Sequence, residues 1–369
     1  MSDIKNLAIL GCTGSVGRQT LEVVDAHPEL FRVRALTAHN SEKELDALAG
    51  KYHPDFTALT ARDGDEANVI AATLDAVDTV VIAITGMKAI FPLRAALKAK
   101  KRVALANKES IVCGGELLQR ELDEHRGLLF PVDSEHSALF QCMQGLSGKE
   151  EVSRLILTAS GGPFRECTKE QLKHVTVEMA LRHPSWNMGK KITIDCATLA
   201  NKGLEVIEAH FLFGIDADRI DVLIHPGSIV HSFVETVDGA LLAQLGSPDM
   251  RLPIQYALTF PKRLPSPVRR LTAADLAALR FELPDTGRFP ALRMAYDALK
   301  AGGTATAVFN AANEAAVQAF LAGRAEFLDI PAAIESALSA IPAKKPDSFE
   351  EILDADRRAR EHVFNLIAR

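Results

Sequence analysis

Seven residues near the start restrict the folds open to this chain more than any others. Gly11-Cys12-Thr13-Gly14-Ser15-Val16-Gly17 follows the apolar run Leu7-Ala8-Ile9-Leu10 and precedes a helical pattern carried by Leu21, Val23 and Val24. A run that is apolar at every position suits a strand buried on both faces. Glycines let the backbone turn tightly, and the open N–H groups of the following helix stabilise an anion such as a pyrophosphate. The spacing G-x-x-G-x-x-G is a variant of the dinucleotide fingerprint. Alone, it also fits a tight structural connection.

The wider pattern favours the first reading. Further apolar runs recur at 33–37, 56–60, 79–84, 103–106 and 128–132, separated by helical patterns at 41–50, 87–98 and 116–125. Strands alternating with helices predict parallel βαβ units and a doubly wound sheet. At the end of the second strand an NAD site usually carries an acid for the ribose 2′-hydroxyl. Here the chain reads Thr37-Ala38-His39-Asn40, and the nearest carboxylate, Glu42, already lies in the next helix. His39 and Asn40 suit a 2′-phosphate better, so NADP is favoured over NAD; the alternative is a polar loop without a role. Asn107-Lys108-Glu109 follows the fifth strand at its carboxyl end, where ligands of open parallel sheets bind. An exposed, solvated Lys-Glu pair is the other reading.

The sixth run leads into Pro131-Val132-Asp133-Ser134-Glu135-His136. Carboxylates at i and i+2 of extended chain point to one side and can share a hard cation such as Mg²⁺ or Mn²⁺. The same pattern makes an acidic helix cap, and taken by itself the turn fits that reading better. Downstream, a strand at 152–158 opens into Ala159-Ser160-Gly161-Gly162-Pro163, either a phosphate nest or an ordinary turn. His183-Pro184-Ser185-Trp186-Asn187-Met188-Gly189 holds the only tryptophan and has no regular period. That suits a lid over a ligand, with burial of Trp186 in the core as the competing view. Ile192–Asp195 reads as a strand. A helix beginning early at Asn201 would place Asn201, Lys202 and Glu205 within about one turn.

Bulk properties narrow the function. A net charge of −6 argues against nucleic-acid binding, and no apolar run is long enough to span a membrane. The five cysteines form no C-x-x-C pair, and no signal-peptide pattern opens the chain, so a reduced, cytoplasmic protein is expected. Asp238-Gly239 between two apolar runs signals a hairpin that would extend a middle sheet and pair across a homodimer. Residues 261–288 read as a linker, and the alanine-rich tail from 289 reads as helical.

Taken together, GCTGSVG (11–17), ANKES (106–110), PVDSEH (131–136), TASGGPFR (158–165), HPSWNMGKK (183–191), DCATLANKGLE (195–205), HPGSIVHSFVE (225–235) and NAANEAAVQAF (310–320) resemble the 1-deoxy-D-xylulose 5-phosphate reductoisomerase family. The resemblance implies an α/β chain with an N-terminal doubly wound, Rossmann-like sheet. A central α+β catalytic domain with a mobile lid and a C-terminal helical bundle would follow. The implied division is 1–133 for NADPH, 134–260 for metal, substrate and the dimer sheet, 261–288 as linker and 289–369 as bundle.

It further implies an NADPH-dependent enzyme using Mg²⁺ or Mn²⁺, with Co²⁺ a further candidate. The substrate, a sugar phosphate, would be rearranged by retro-aldol/aldol steps or a ketol shift and then reduced to 2-C-methyl-D-erythritol 4-phosphate, an isoprenoid precursor. By motif match Asp133, Glu135 and Glu205 are the metal ligands. Lys108, Glu135 and His183 would be catalytic. Lys108, Ser134, Glu135, Ser160, His183, Trp186, Cys196, Asn201, Lys202 and Glu205 would surround the substrate. Thr13, Gly14, Ser15, Val16, Ala38, His39, Asn40, Asn107, Glu109 and Gly189 would line the NADPH site, with Met188 on the closing loop. Three departures stand out. Cys12 and Cys196 replace the family's usual serines, and Ala38-His39 replaces the glycine and lysine usual near the 2′-phosphate.

Two other readings compete. One is another NADP-dependent oxidoreductase of similar build, such as a semialdehyde or homoserine dehydrogenase, which needs no Asp133/Glu135/Glu205 cluster. The other is an NADP sensor with a dead site, expected to lose Lys108 or a metal carboxylate.

Overall fold

The structure is a computed structural model that describes residues 4–182 and 188–368. It divides into two compact bodies. The first holds residues 1–110, 120–140 and 249–270; the second holds 111–119, 141–248 and 271–369.

Six strands build the first body: β1 (Lys5–Leu10), β2 (Phe31–Ala38), β3 (Phe56–Leu59), β4 (Thr79–Ile82), β5 (Arg102–Leu105) and β6 (Leu129–Pro131). They lie in the order β3-β2-β1-β4-β5-β6, and every pair is parallel. Order reverses beside β1, the switch point at which a doubly wound sheet binds ligands. Leu7, Ala8, Ile9 and Leu10 are fully buried, as an all-apolar strand requires. Each leucine or isoleucine so placed contributes about 1.5–3 kcal/mol over an exposed one. The helix Arg251–Thr259, late in the sequence, returns to this body. Its Ile254, Ala257 and Leu258 join the core of Leu21, Val24 and Val81.

The second body carries a mixed sheet of β7 (Val152–Ala159), β8 (Ile220–Ile224), β9 (Val230–Thr236) and β10 (Leu241–Leu245), in the order β10-β9-β7-β8. β8 is parallel to β7, and the β9–β10 hairpin is antiparallel. Its turn closes as expected through Gly239 at φ +85°, with the Thr236 N–H bonded to the Ala240 carbonyl at 2.9 Å. The tail forms helices Ala291–Ala301, Ala305–Leu321, Asp329–Ala340 and Phe349–Ile367. The last is capped by Ser348 Oγ and shows the core Ile352, Ala355, Ala359 and Val363, one apolar stripe at helical spacing. The 305–321 helix lies among the others and buries polar as well as apolar residues.

One expectation fails. Ile192–Asp195 is not a strand, because Lys190–Thr198 is a helix. The β-branched run Ile192-Thr193-Ile194 suggests a strand, but local bonding and packing override it. Thr193 Oγ1 donates to the Gly189 carbonyl at 2.9 Å, Lys191 pairs with Asp195 one turn on, and Ile194 and Ala197 share a buried face. Among the described residues no helix is long and apolar enough to cross a membrane.

Candidate active site

In the first body the glycine turn is built by close backbone approach. A Cβ on Gly11, whose φ is +85°, would stand 2.6 Å from the Ala83 carbonyl oxygen, and one on Gly17 would overlap the Gly11 carbonyl. The helix Ser15–Ala26 has Gly14 at its N-cap and no side-chain cap. Its first N–H groups therefore face the turn without a side-chain acceptor, as an anion site requires. Thr13, Ser15 and Val16 line the turn, half-buried or exposed. Cys12 points the other way. Its thiol is fully buried in the core, burial pushes its pKa up to about 12, and its N–H donates to the Thr37 carbonyl.

At the end of β2, Ala38 is buried while His39 and Asn40 are exposed. His39 Nδ1 lies 3.0 Å from Thr60 Oγ1. After β5, the Asn107 side chain is committed to the fold. Its Nδ2 donates to the carbonyls of Ile84 and Gly86 and to Glu109, and its Oδ1 accepts from the Ser110 N–H at 2.8 Å. Both Asn107 and Glu109 thus sit at the carboxyl ends of β4 and β5, stitching the two loops together.

The acidic turn is also in this body. Lys108 Nζ lies 2.7 Å from Asp133 Oδ2, with both side chains nearly buried. Burial pushes the Asp133 carboxyl up, but the charge of Lys108 and the hydrogen bond from His136 outweigh it and hold the group well below the usual carboxylate range. Asp133 Oδ1 also accepts from the Glu135 N–H at 3.3 Å, at the start of the helix Ser134–Cys142. The capping reading therefore describes real geometry, yet leaves an ionised carboxylate beside a lysine. Ser134 Oγ donates to Glu135 Oε2 at 2.6 Å. His136, given no role by sequence reading, bonds Asp133 at 3.2 Å; its i+3 spacing is the signal that could have found it.

The second body contributes a different cradle. Gly161 (φ +80°) and Gly162 (φ +68°) follow β7, and the Gly162 N–H donates to Ser160 Oγ at 3.3 Å. A Cβ on Gly162 would lie 2.7 Å from the Cys196 carbonyl oxygen and 2.9 Å from Ala197 Cα, so the loop rests directly on the 190–198 helix. That helix ends at Leu199, a buried residue in left-handed conformation (φ +61°), from which the helix Ala200–Phe213 starts without a side-chain cap. Asn201, Lys202 and Glu205 are buried within its first turns, and Glu205 accepts from both Asn201 and Lys202. Cys196 is half-buried and Gly189 caps the 190–198 helix. Met188 is half-buried. His183 and Trp186 lie outside the described residues.

Family signatures match three stretches: 1-deoxy-D-xylulose 5-phosphate reductoisomerase at 7–115, its C-terminal domain at 129–213, and the DXP reductoisomerase C-terminal domain at 245–362. The enzyme of that name from Chlorobium chlorochromatii is 50% identical, the match covering 97% of this chain and 98% of the relative. The chain belongs to the 1-deoxy-D-xylulose 5-phosphate reductoisomerase family. The family member from Pelotomaculum thermopropionicum is 49% identical over 99% of each chain. Solved family structures agree in fold. The Zymomonas mobilis enzyme in complex with NADPH is 40% identical with a TM-score of 0.90, covering 99% of both chains. A DOX-P reductoisomerase in complex with NADPH, fosmidomycin and magnesium is 38% identical with a TM-score of 0.93, covering 99% of this chain and 98% of that one.

Proposed function

We propose that the chain converts 1-deoxy-D-xylulose 5-phosphate to 2-C-methyl-D-erythritol 4-phosphate with NADPH and a divalent ion, Mg²⁺ or Mn²⁺. Family membership along nearly the whole chain carries this reading. The residues fit both groups. Uncapped N–H groups behind a glycine turn suit a pyrophosphate, and hard carboxylate oxygens, one held ionised, suit a small divalent cation. When bound, the metal supplies Lewis-acid polarisation of substrate oxygens and NADPH supplies hydride.

In this reading Asp133, Glu135 and Glu205 are the metal ligands. Lys108 keeps Asp133 ionised and offers its remaining N–H donors to a substrate oxygen. Ser134 orients Glu135 and contacts the substrate. Ser160, Cys196, Asn201 and Lys202 hold the phosphate, giving remote binding energy that orients the reacting end. His183, Trp186 and Met188 close over the site and exclude water. Thr13 to Val16, the backbone at Ala38, then His39, Asn40, Asn107, Glu109 and Gly189, line the NADPH site. Residues 1–133 would serve NADPH, 134–260 metal and substrate, 261–288 the connection and 289–369 support. Exposed Leu241 and Leu242 on the edge strand β10 support a homodimer through that edge, and five cysteines outside any disulfide support a cytoplasmic setting.

The test is NADPH oxidation with and without the sugar phosphate, Mg²⁺ or Mn²⁺, and chelator, with NADH in parallel. Turnover is expected only when sugar phosphate and metal are both present. Undiminished turnover in chelator would remove the metal role.

A further inference from the structure

The 190–198 helix carries more of the second cradle than Cys196 alone. Its Asp195, adjacent to Cys196, is 1% exposed. One carboxylate oxygen takes Lys191 Nζ at 2.9 Å from a turn earlier; the other takes Asn313 Nδ2 at 2.8 Å from the 305–321 helix. Asn313 is fully buried, and its Oδ1 has no hydrogen-bond partner among the described residues. A carboxylate accepts only from the N–H side of an amide, so this contact sets which way the Asn313 side chain faces. A buried amide oxygen left without a donor is destabilising. What Asn313 supplies at this place is the N–H held to Asp195.

The support is firm. Glu314, next to Asn313, is bonded by Arg360 of the 349–367 helix at 2.6 Å, so the 305–321 helix is also tied down one residue further on. The load is also specific. The cradle loop rests on the Cys196 carbonyl and Ala197 Cα through Gly162, and Leu199 hands the chain on to Asn201 and Lys202. A displacement at Asp195 would move Cys196, the floor under Gly162 and the start of the 200–213 helix together.

We propose that Asn313 is a positioning residue for the phosphate end of the substrate, holding the Asp195 carboxylate and through it the pose of the 190–198 helix against Ser160–Gly162. This rests on the function proposed above. Asn313 itself touches neither substrate nor cofactor in this reading; it acts through Asp195.

Steady-state kinetics of the full chain with saturating Mg²⁺ test it, using wild type, Asn313→Ala, Asn313→Ser, Asp195→Asn and the Asn313→Ala/Asp195→Asn double variant. Asn313→Ala is expected to raise KM for the sugar phosphate on the order of tenfold, with kcat within about threefold and KM for NADPH unchanged. Asn313→Ser keeps a donor and should recover part of the loss. In the Asp195→Asn background, Asn313→Ala should change KM by less than about twofold, since the shared partner is already altered. Effects that multiply in the double variant would overturn the route through Asp195. A lowered melting temperature with both KM values unmoved would show a merely structural role and overturn the proposal. Should Asn313→Ala fail to fold, Asn313→Ser is judged by the same KM criterion. Absence of wild-type turnover would overturn the proposed function and this inference with it. Wild-type turnover with KM unmoved in the variants would overturn the inference alone.

Discussion

The glycine turn of the first body and the Ser160–Gly162 cradle of the second are both formed where a strand gives way to tight glycines, yet they are made of different material. Around Gly11–Gly17 the open groups are backbone N–H, and the Cys12 side chain faces the core. Around Gly162 the backbone supplies a platform, and in the proposed site Ser160, Cys196, Asn201 and Lys202 would supply side-chain groups. A site made of backbone tolerates exchange of a side chain that points away from it. One made of side chains registers each exchange. Cys12 and Cys196, the two positions at which the resemblance leads one to expect serine, fall one on each side of this contrast.

The largest effect should come from Glu205→Gln. It removes the charge of a proposed metal ligand and one of the two oxygens that accept from Asn201 and Lys202, so turnover should fall by at least about a hundredfold, as when a positioned catalytic group is lost. NADPH binding, followed by nucleotide fluorescence, should be little changed; equal loss of both would dissolve the contrast between the regions.

Gly162→Ala should come next. Its φ of +68° and the close approach to the Cys196 carbonyl leave no room for a methyl group. We expect KM for the sugar phosphate to rise by about tenfold or more, from strain and backbone shift worth roughly 1–3 kcal/mol, with KM for NADPH preserved. An unchanged sugar-phosphate KM would separate this loop from the phosphate.

The paired exchanges Cys196→Ser and Cys12→Ser test the contrast directly. Placing a hydroxyl at Cys196 should lower KM for the sugar phosphate by a few fold, the lower end of the net value of one ordinary hydrogen bond, about 0.5–1.5 kcal/mol. Cys12→Ser should leave KM for NADPH unchanged and lower thermal stability instead, because it buries a hydroxyl in an apolar setting at a cost of about 1–3 kcal/mol. A changed NADPH KM in Cys12→Ser would place that side chain on the cofactor.

The smallest effect lies outside both regions. Arg94 makes a two-pronged contact with Glu121, at 2.8 and 2.7 Å, and holds its carboxyl below the usual range. A depressed folded-state value means the pair stabilises fully above the unfolded value, near pH 4 to 5, and loses that contribution as pH falls through the lower folded value. Glu121→Gln should therefore flatten the acid limb of a melting-temperature profile below about pH 5. After solvent screening the change should be under about 1 kcal/mol, and an identical acid limb would show the pair contributes nothing.

Much of the first body is legible from local pattern. All-apolar strands such as Leu7–Leu10, glycine spacing and alternating helices predict its parallel sheet, because both faces of central strands such as β1 and β4 are buried. The 190–198 helix is not legible in that way: Ile192-Thr193-Ile194 reads as a strand until the Lys191–Asp195 pair and the packing of Ile194 are known. The acidic turn is ambiguous for another reason. Asp133 caps a helix and faces Lys108 in one conformation, so a pattern that asks which role applies has no single answer. The Asp195–Asn313 contact joins residues 118 positions apart, and neither residue's neighbours announce the other. Motif resemblance names the side chains proposed above to meet ligands, but not the partners that hold those side chains in place.

The fully committed amide of Asn107 divides the proposed NADPH site into a part that can be edited and a part that cannot. Replacing Asn107 would unstitch the ends of β4 and β5 before it altered any preference among nucleotides. His39 stands exposed at the end of β2, with Thr60 as its side-chain partner, so a different residue can be accommodated there without disturbing the sheet. Any drift or redesign of cofactor choice in this chain therefore has its cheapest route at His39, while the floor on which the nucleotide would rest stays the same.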